Sequence, residues 1–170
     1  VQSVPFPRAM LNKETYDFSF SGIKTAVRSH LLQITDSTEE RVFADDTFWP
    51  LPKTSRWEQQ RNDILASFQQ AVIDVLVGKT LRAVKKTQAQ AVAVVGGVAC
   101  NSALRRAMCL AGDTGEFPVF FPSPKYCTDN AAMIACAGYY RYRETPQCYH
   151  QQNFLDLEAH ANLAIPDLHR

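Results

Sequence analysis

The sequence predicts an α/β fold with a parallel pair of strands. Two observations predict it. Segments of helical periodicity alternate with two short apolar runs, and each run is closed by glycine or proline shortly before a new helix signal. The order is helix, strand, helix, strand, helix, with no internal repeat and no low-complexity tract.

Taken in order, Pro5 and Pro7 mark a loop or edge segment within residues 1–16. Asp17-Phe-Ser-Phe-Ser21 alternates polar and aromatic residues, which reads as a strand with Phe18 and Phe20 on one face, broken by Gly22. Ile23, Ala26, Val27, Leu31 and Ile34 then fall at helical spacing. Residues 36–60 are acidic and then carry Pro50 and Pro52, a long surface loop or insertion pinned by Trp49 and Trp57.

The clearest helix runs from Asn62 to about Gln88. Ile64, Leu65, Phe68, Ala71, Val72, Val75 and Leu76 form its stripe, and Asn62 or Asp63 caps it. Gly78 inside it costs about 1 kcal/mol against alanine, which points to close packing there. Ala91–Val95 is a continuous apolar run, as in a buried parallel strand. Gly96-Gly97 ends it, and a helix from about Asn101 to Leu110 follows. Val119–Phe121 is a second strand, stopped by Pro122 and Pro124. A helix opening at Asp129 runs to about Tyr142, and the tail from residue 146 is irregular.

The chain's 170 residues suit one domain with its own core, and 46% hydrophobic with 21% charged residues is ordinary for a soluble protein. A net charge of +1 argues against a domain that grips nucleic acid by bulk charge; an RNA partner requires clustered basic residues or a field from elsewhere in an assembly. Five cysteines without C-x-x-C spacing argue against a disulfide framework or zinc site and for buried or half-buried thiols in a reducing cytosol. No apolar run approaches a membrane span, and no signal peptide is visible. The start Val-Gln-Ser reads as a segment of something longer or processed.

Three strand-to-helix junctions bear on chemistry. At Gly96-Gly97-Val-Ala-Cys-Asn101, glycines admit close backbone approach and a helix N-terminus offers free N–H groups, so the turn suits a nucleotide; equally it suits a tight turn with Asn101 as cap. At Cys127-Thr-Asp129-Asn, Asp129 is either a helix cap or a metal carboxylate. One carboxylate cannot hold a catalytic metal alone, and the four histidines show no His-x-x-x-His spacing. At Phe18-Ser-Phe-Ser21-Gly-Ile-Lys24, hydroxyls and a lysine suit an anion or RNA phosphate, or simply a capped helix start.

Together these segments resemble one family. Asp17–Ala26 is similar to the "DFSFSGLKTA" element of the tRNA N6-adenosine threonylcarbamoyltransferases, Phe6-Pro-Arg8 to their "FPR" element, and Gly96–Asn101 to their "GGVxxN" turn. Cys127–Ala135 matches "CTDNxAMIA". Ile64–Val77 resembles the family's long helix, and Leu155–Leu168 echoes its tail.

The resemblance implies the two-lobed actin-like ATPase fold (ASKHA, ribonuclease-H-like), represented here mainly by its C-terminal lobe. In that scheme residues 1–35 open the lobe, 36–60 form an insertion, 61–145 carry the nucleotide- and metal-site core, and 146–170 form the tail. It further implies transfer of threonylcarbamoyl from threonylcarbamoyl-adenylate to N6 of adenosine 37 in tRNAs reading A-starting codons, in the cytoplasm, with other proteins of that modification pathway as partners. Gly96, Gly97 and Asn101 would bind the adenylate. Asp129 would ligate a divalent metal, iron or zinc, whose two histidine ligands lie on an N-terminal lobe outside this chain. The resemblance assigns no role to Ser21 and Lys24; their hydroxyl and ammonium groups make them the candidates for a phosphate or tRNA contact. A catalytically inactive paralogue serving as scaffold is the alternative, and an ASKHA nucleotide-binding protein of other activity the third reading.

Overall fold

The computed structural model describes residues 3–35 and 55–146. The acidic stretch 36–54 with Trp49, the tail from 147, and Cys148, His150, His160 and His169 lie outside the described residues. The chain divides into two compact units, Val1–Cys127 and Thr128–Arg170.

In the first unit, α1 (Ser21–Thr35) and α2 (Ser55–Thr87) precede a short strand β1 (Val92–Ala93), a 3-10 turn (Gly97–Cys100), α3 (Ser102–Gly115), strand β2 (Val119–Phe120) and a second 3-10 turn (Pro124–Tyr126). The strands pair in parallel, Val92 opposite Val119 and Ala93 opposite Phe120, as the apolar runs predict. The second unit contains α4 (Ala131–Glu144).

Several elements differ from the sequence expectation. Helix α2 starts at Ser55, so residues 55–60 belong to the helix rather than to a loop, and neither Asn62 nor Asp63 is its cap. The segment Ser55–Arg61 holds no glycine or proline and is rich in Arg, Glu and Gln, which propagate a helix. Buried Trp57 falls seven residues before buried Ile64, on the same stripe. Residues 17–20 form no strand, and Ser21 and Gly22 already lie in α1. The ladder that a strand needs is replaced by one cation: Lys79 of α2, 1% exposed, donates to the carbonyls of Thr15 (2.7 Å) and Asp17 (2.5 Å). Phe18 and Phe20 do share a face, with rings stacked 6.3 Å apart.

The β1 run is parallel but not buried on both sides. Val94, Val119 and Phe121 pack against Ile73, Leu104 and Met108 of α2 and α3. On the opposite face Val95 is 70% exposed and Phe120 is also exposed. Within this unit, helices α2 and α3 cover one face of the sheet.

The N-terminal segment is strapped along α2 by polar side chains at helical spacing. Ser67 accepts from Val4 N–H (3.1 Å), Asp74 takes Arg8 at 2.8 and 2.9 Å, and Arg82 donates to the carbonyls of Lys13 and Leu11. A Cβ on Gly78 would stand 2.9 Å from Leu11 Cδ1, so the glycine does mark close packing. Beneath the strap, Phe6, Ile23, Ile64 and Ala71 form a core cluster. By length and composition α2 is apolar enough to cross a membrane, yet it carries this core, and its Asp74, Lys79 and Arg82 are bonded to the strap.

Candidate functional site

The site begins where β1 ends. Gly96 has φ +88°, a conformation that side chains rarely adopt, while an added Cβ would meet nothing within 4 Å; the backbone angle is what calls for glycine. Gly97 then opens the 3-10 turn, closed by Ala99 N–H to Gly96 O and Asn101 N–H to Val98 O, both 3.0 Å.

Asn101 caps α3. Its Oδ1 accepts from Ala103 N–H and Leu104 N–H at 3.0 Å, and its Nδ2 donates to Gln69 Oε1 of α2 at 2.9 Å. The cap reading therefore holds. The amide nitrogen has two hydrogens and this bond uses one, so a donor remains for a ligand.

Arg105, one turn into α3, holds the junction from behind. It donates to Ala99 O (2.5 Å), Pro122 O (2.8 Å) and Cys127 Sγ (3.3 Å), with its guanidinium 4.8 Å from the Phe121 ring centre. Neither Gln69 nor Arg105 stood out in the sequence. The only signal was a charged residue four positions after the capping asparagine.

A cleft of about 930 Å³ opens beside this turn. Its lining includes Phe20 and Lys24, Gln69 of α2, Val92–Val95 of β1, and Asn101 and Leu104 of α3. Most of the wall is apolar, with Lys24, Gln69 and Asn101 among its polar groups. Two of the three sequence junctions thus meet at one cavity. Lys24 is exposed, and Ser21 lies one turn before it, its hydroxyl 3.2 Å from that of Ser19.

The third junction lies in the other compact unit. Asp129 is not the cap expected as one of its two readings. Asn130 is, with Oδ1 accepting from Met133 N–H (3.0 Å) and Nδ2 donating to Thr128 O (2.8 Å). The reason is spacing: Asn130 immediately precedes the first helical residue, where a side chain reaches the N–H three residues on. Asp129 is exposed and, among the described residues, makes no hydrogen bond or ion pair. It fits one coordination position for a hard or borderline cation, but among the described residues no group of three His, Cys, Asp or Glu is placed to hold a metal.

The thiols are also placed differently from a buried set. Cys127 is buried, whereas Cys100, Cys109 and Cys136 are exposed. Crowding by its surroundings pushes the Cys100 thiol above its ordinary value, helped by a hydrogen bond with Cys127 and by that thiol's charge, and opposed by Arg105.

Comparison with known proteins places these residues in a family. A sequence profile described as tRNA N6-adenosine threonylcarbamoyltransferase matches residues 2–136, which include the cleft and Asp129. The chain is 41% identical over 167 residues to the protein of that name from Moorella thermoacetica, covering 98% of this chain and 41% of the relative. It is 45% identical over 141 residues to that from Desulfotalea psychrophila (83% and 37%), and 47% identical over 133 residues to that from Syntrophotalea carbinolica (78% and 34%). The chain thus spans about two-fifths or less of the length of these curated relatives. On this match the chain belongs to the tRNA N6-adenosine threonylcarbamoyltransferase family.

Proposed function

We propose that this chain is the adenylate-holding part of an ASKHA-fold enzyme that moves threonylcarbamoyl from threonylcarbamoyl-adenylate to N6 of adenosine 37 in tRNA. The observation that carries this reading is the shared cleft: Lys24 and Asn101, 77 positions apart in the chain, line one cavity beside a turn made for close backbone approach. The apolar wall suits the flat face of an adenine, and the remaining Asn101 amide hydrogen suits a ribose or base acceptor. Lys24, with Ser21 nearby, supplies cationic and hydroxyl partners for a phosphate of the adenylate or of the tRNA. Gly96 and Gly97 let the main chain approach without a Cβ between.

The reaction joins the exocyclic N6 of adenosine to the threonylcarbamoyl carbon. The new C–N bond forms, the bond from that carbon to the phosphate oxygen breaks, AMP leaves with the electron pair, and N6 gives up a proton. An unpaired anticodon loop presents such a base openly. This chain's part is to hold AMP as both reactant moiety and leaving group.

Asp129 fits one ligand position of a divalent metal, iron or zinc, completed by two histidines from an N-terminal lobe outside this chain. When bound, such a metal supplies a Lewis acid for the carbonyl. The setting is the cytoplasm, with other proteins of the same modification pathway.

The test uses the full-length enzyme that contains these residues. Lys24→Ala is expected to raise KM for threonylcarbamoyl-adenylate by roughly tenfold, as loss of one charge-assisted contact does. Asp129→Ala is expected to lower metal content and transfer activity together while adenylate binding persists. Full metal content and normal transfer in Asp129→Ala refute the ligand role, and an unchanged KM in Lys24→Ala refutes the cleft.

A second reading, an inactive paralogue acting as scaffold, draws support from α4, which buries none of its residues and exposes Ile134, Tyr139 and Tyr140 as a pairing surface would. Transfer activity in the full-length protein excludes it.

A further inference from the structure

Two thiols meet behind the Asn101 turn. Cys100 closes the first 3-10 turn, and Cys127 follows the second. The Cys100 thiol donates to Pro124 O at 3.5 Å, and the Cys127 backbone N–H donates to the same oxygen at 3.2 Å. The Cys127 sulfur reaches Pro122 O and Ser123 O, both at 3.7 Å, so both thiols lie against one short stretch of main chain. Arg105 fastens the two sides together, binding Ala99 O next to Cys100 and Pro122 O and Cys127 Sγ on the other side. One partner is open to solvent and the other is buried, at 5% exposure.

We propose that Cys100 and Cys127 form a redox-modification site, closed by a peroxide into an intramolecular disulfide and reopened by a dithiol. Exposed Cys100 meets the oxidant first, through the small fraction of it that is thiolate, so closure is slow at neutral pH and faster as pH rises. Its sulfur attacks peroxide, the O–O bond breaks, an S–O bond forms and one water leaves, giving a sulfenic acid. The Cys127 sulfur then attacks the Cys100 sulfur. The S–S bond forms, the S–O bond breaks, and the departing hydroxide takes the thiol proton as a second water. Two thiols are oxidised and one peroxide is reduced. The disulfide joins the two 3-10 turns at the residue before the α3 cap Asn101, which itself lines the cleft. Cys109 and Cys136, both exposed and without a hydrogen bond to another thiol among the described residues, serve as internal controls.

The experiment treats the whole chain with hydrogen peroxide, blocks remaining thiols and maps non-reduced peptides by mass spectrometry. The expected result is a joined peptide pair carrying Cys100 and Cys127, lighter than the two thiols by two hydrogens and lost on adding dithiothreitol. The pair persists in the Cys109→Ser/Cys136→Ser/Cys148→Ser variant and disappears completely in Cys100→Ser. Recovery of Cys100 and Cys127 as separate peptides under oxidant that fully consumes the Cys100 thiol overturns the proposal, as does pairing of either with another cysteine. The wild-type map decides the matter if the triple variant does not fold.

Discussion

Two asparagines cap two helices in this chain, and their surroundings have little in common. Asn101 begins α3, which buries Leu104, Met108 and Gly112, and its side chain also reaches across to Gln69 of α2. Asn130 begins α4 with the same kind of cap, yet α4 buries no residue, and Ile134 is 67% exposed. A cap satisfies orphan N–H groups and so decides where a helix starts. It does not decide whether the helix has a surface to pack on. At Asn101 the local cap and the tertiary packing coincide, and the proposed adenylate cleft lies there.

The largest expected effect separates the two helices by their cores. Leu104→Ala should destabilise the chain by about 2–5 kcal/mol, since it leaves a cavity beside Ile73 and Met108. Ile134→Ala should change stability by no more than about 0.5 kcal/mol, as exposed substitutions do. Urea unfolding measures both, and equal costs would break the contrast. A smaller difference should separate the caps themselves. Asn101→Ala should cost about 1–2 kcal/mol, because it frees two N–H groups and strands Gln69, whereas Asn130→Ala should stay near the lower end of the cap range, about 0.5 kcal/mol.

The smallest effect is read in reactivity at the embedded turn. The Cys100 thiol is raised, so at a given pH less of it is thiolate and it alkylates more slowly than cysteine in a short peptide. Its rate should climb at higher pH than the peptide's. Arg105 opposes the shift, so Arg105→Met should move the profile further up. A Cys100 profile matching the free peptide's would remove the distinction.

What was legible in the sequence is what nearby residues decide. The Asn101 cap, the strand character of the two short apolar runs and the glycine turn depend on neighbours within a few positions; the close approach at Gly78 was signalled by a glycine inside a helix, although its partner Leu11 lies far off in the chain. The family motifs marked the same segments. What stayed hidden is set by contacts far apart in the chain. Lys79 reaches carbonyls 62 and 64 residues away, and nothing in an apolar helical stripe announces that a lysine will replace a strand ladder. Gln69 lies 32 residues from its partner Asn101. The capping of α4 was misassigned between adjacent residues, Asp129 and Asn130, both good capping types; only backbone geometry separates them. The continuous apolar run at 91–95 correctly signalled a parallel strand, but a run does not say which of its faces this chain covers.

That uncovered face has a consequence for handling the protein in solution. Val95 and Phe120 present apolar side chains beside β1, whose outer edge has backbone groups bonded to no strand among the described residues. Such an edge is a template for another chain of the same kind. Strand-against-strand association through that short edge is expected to grow with protein concentration, and lysines placed on that rim would reduce it.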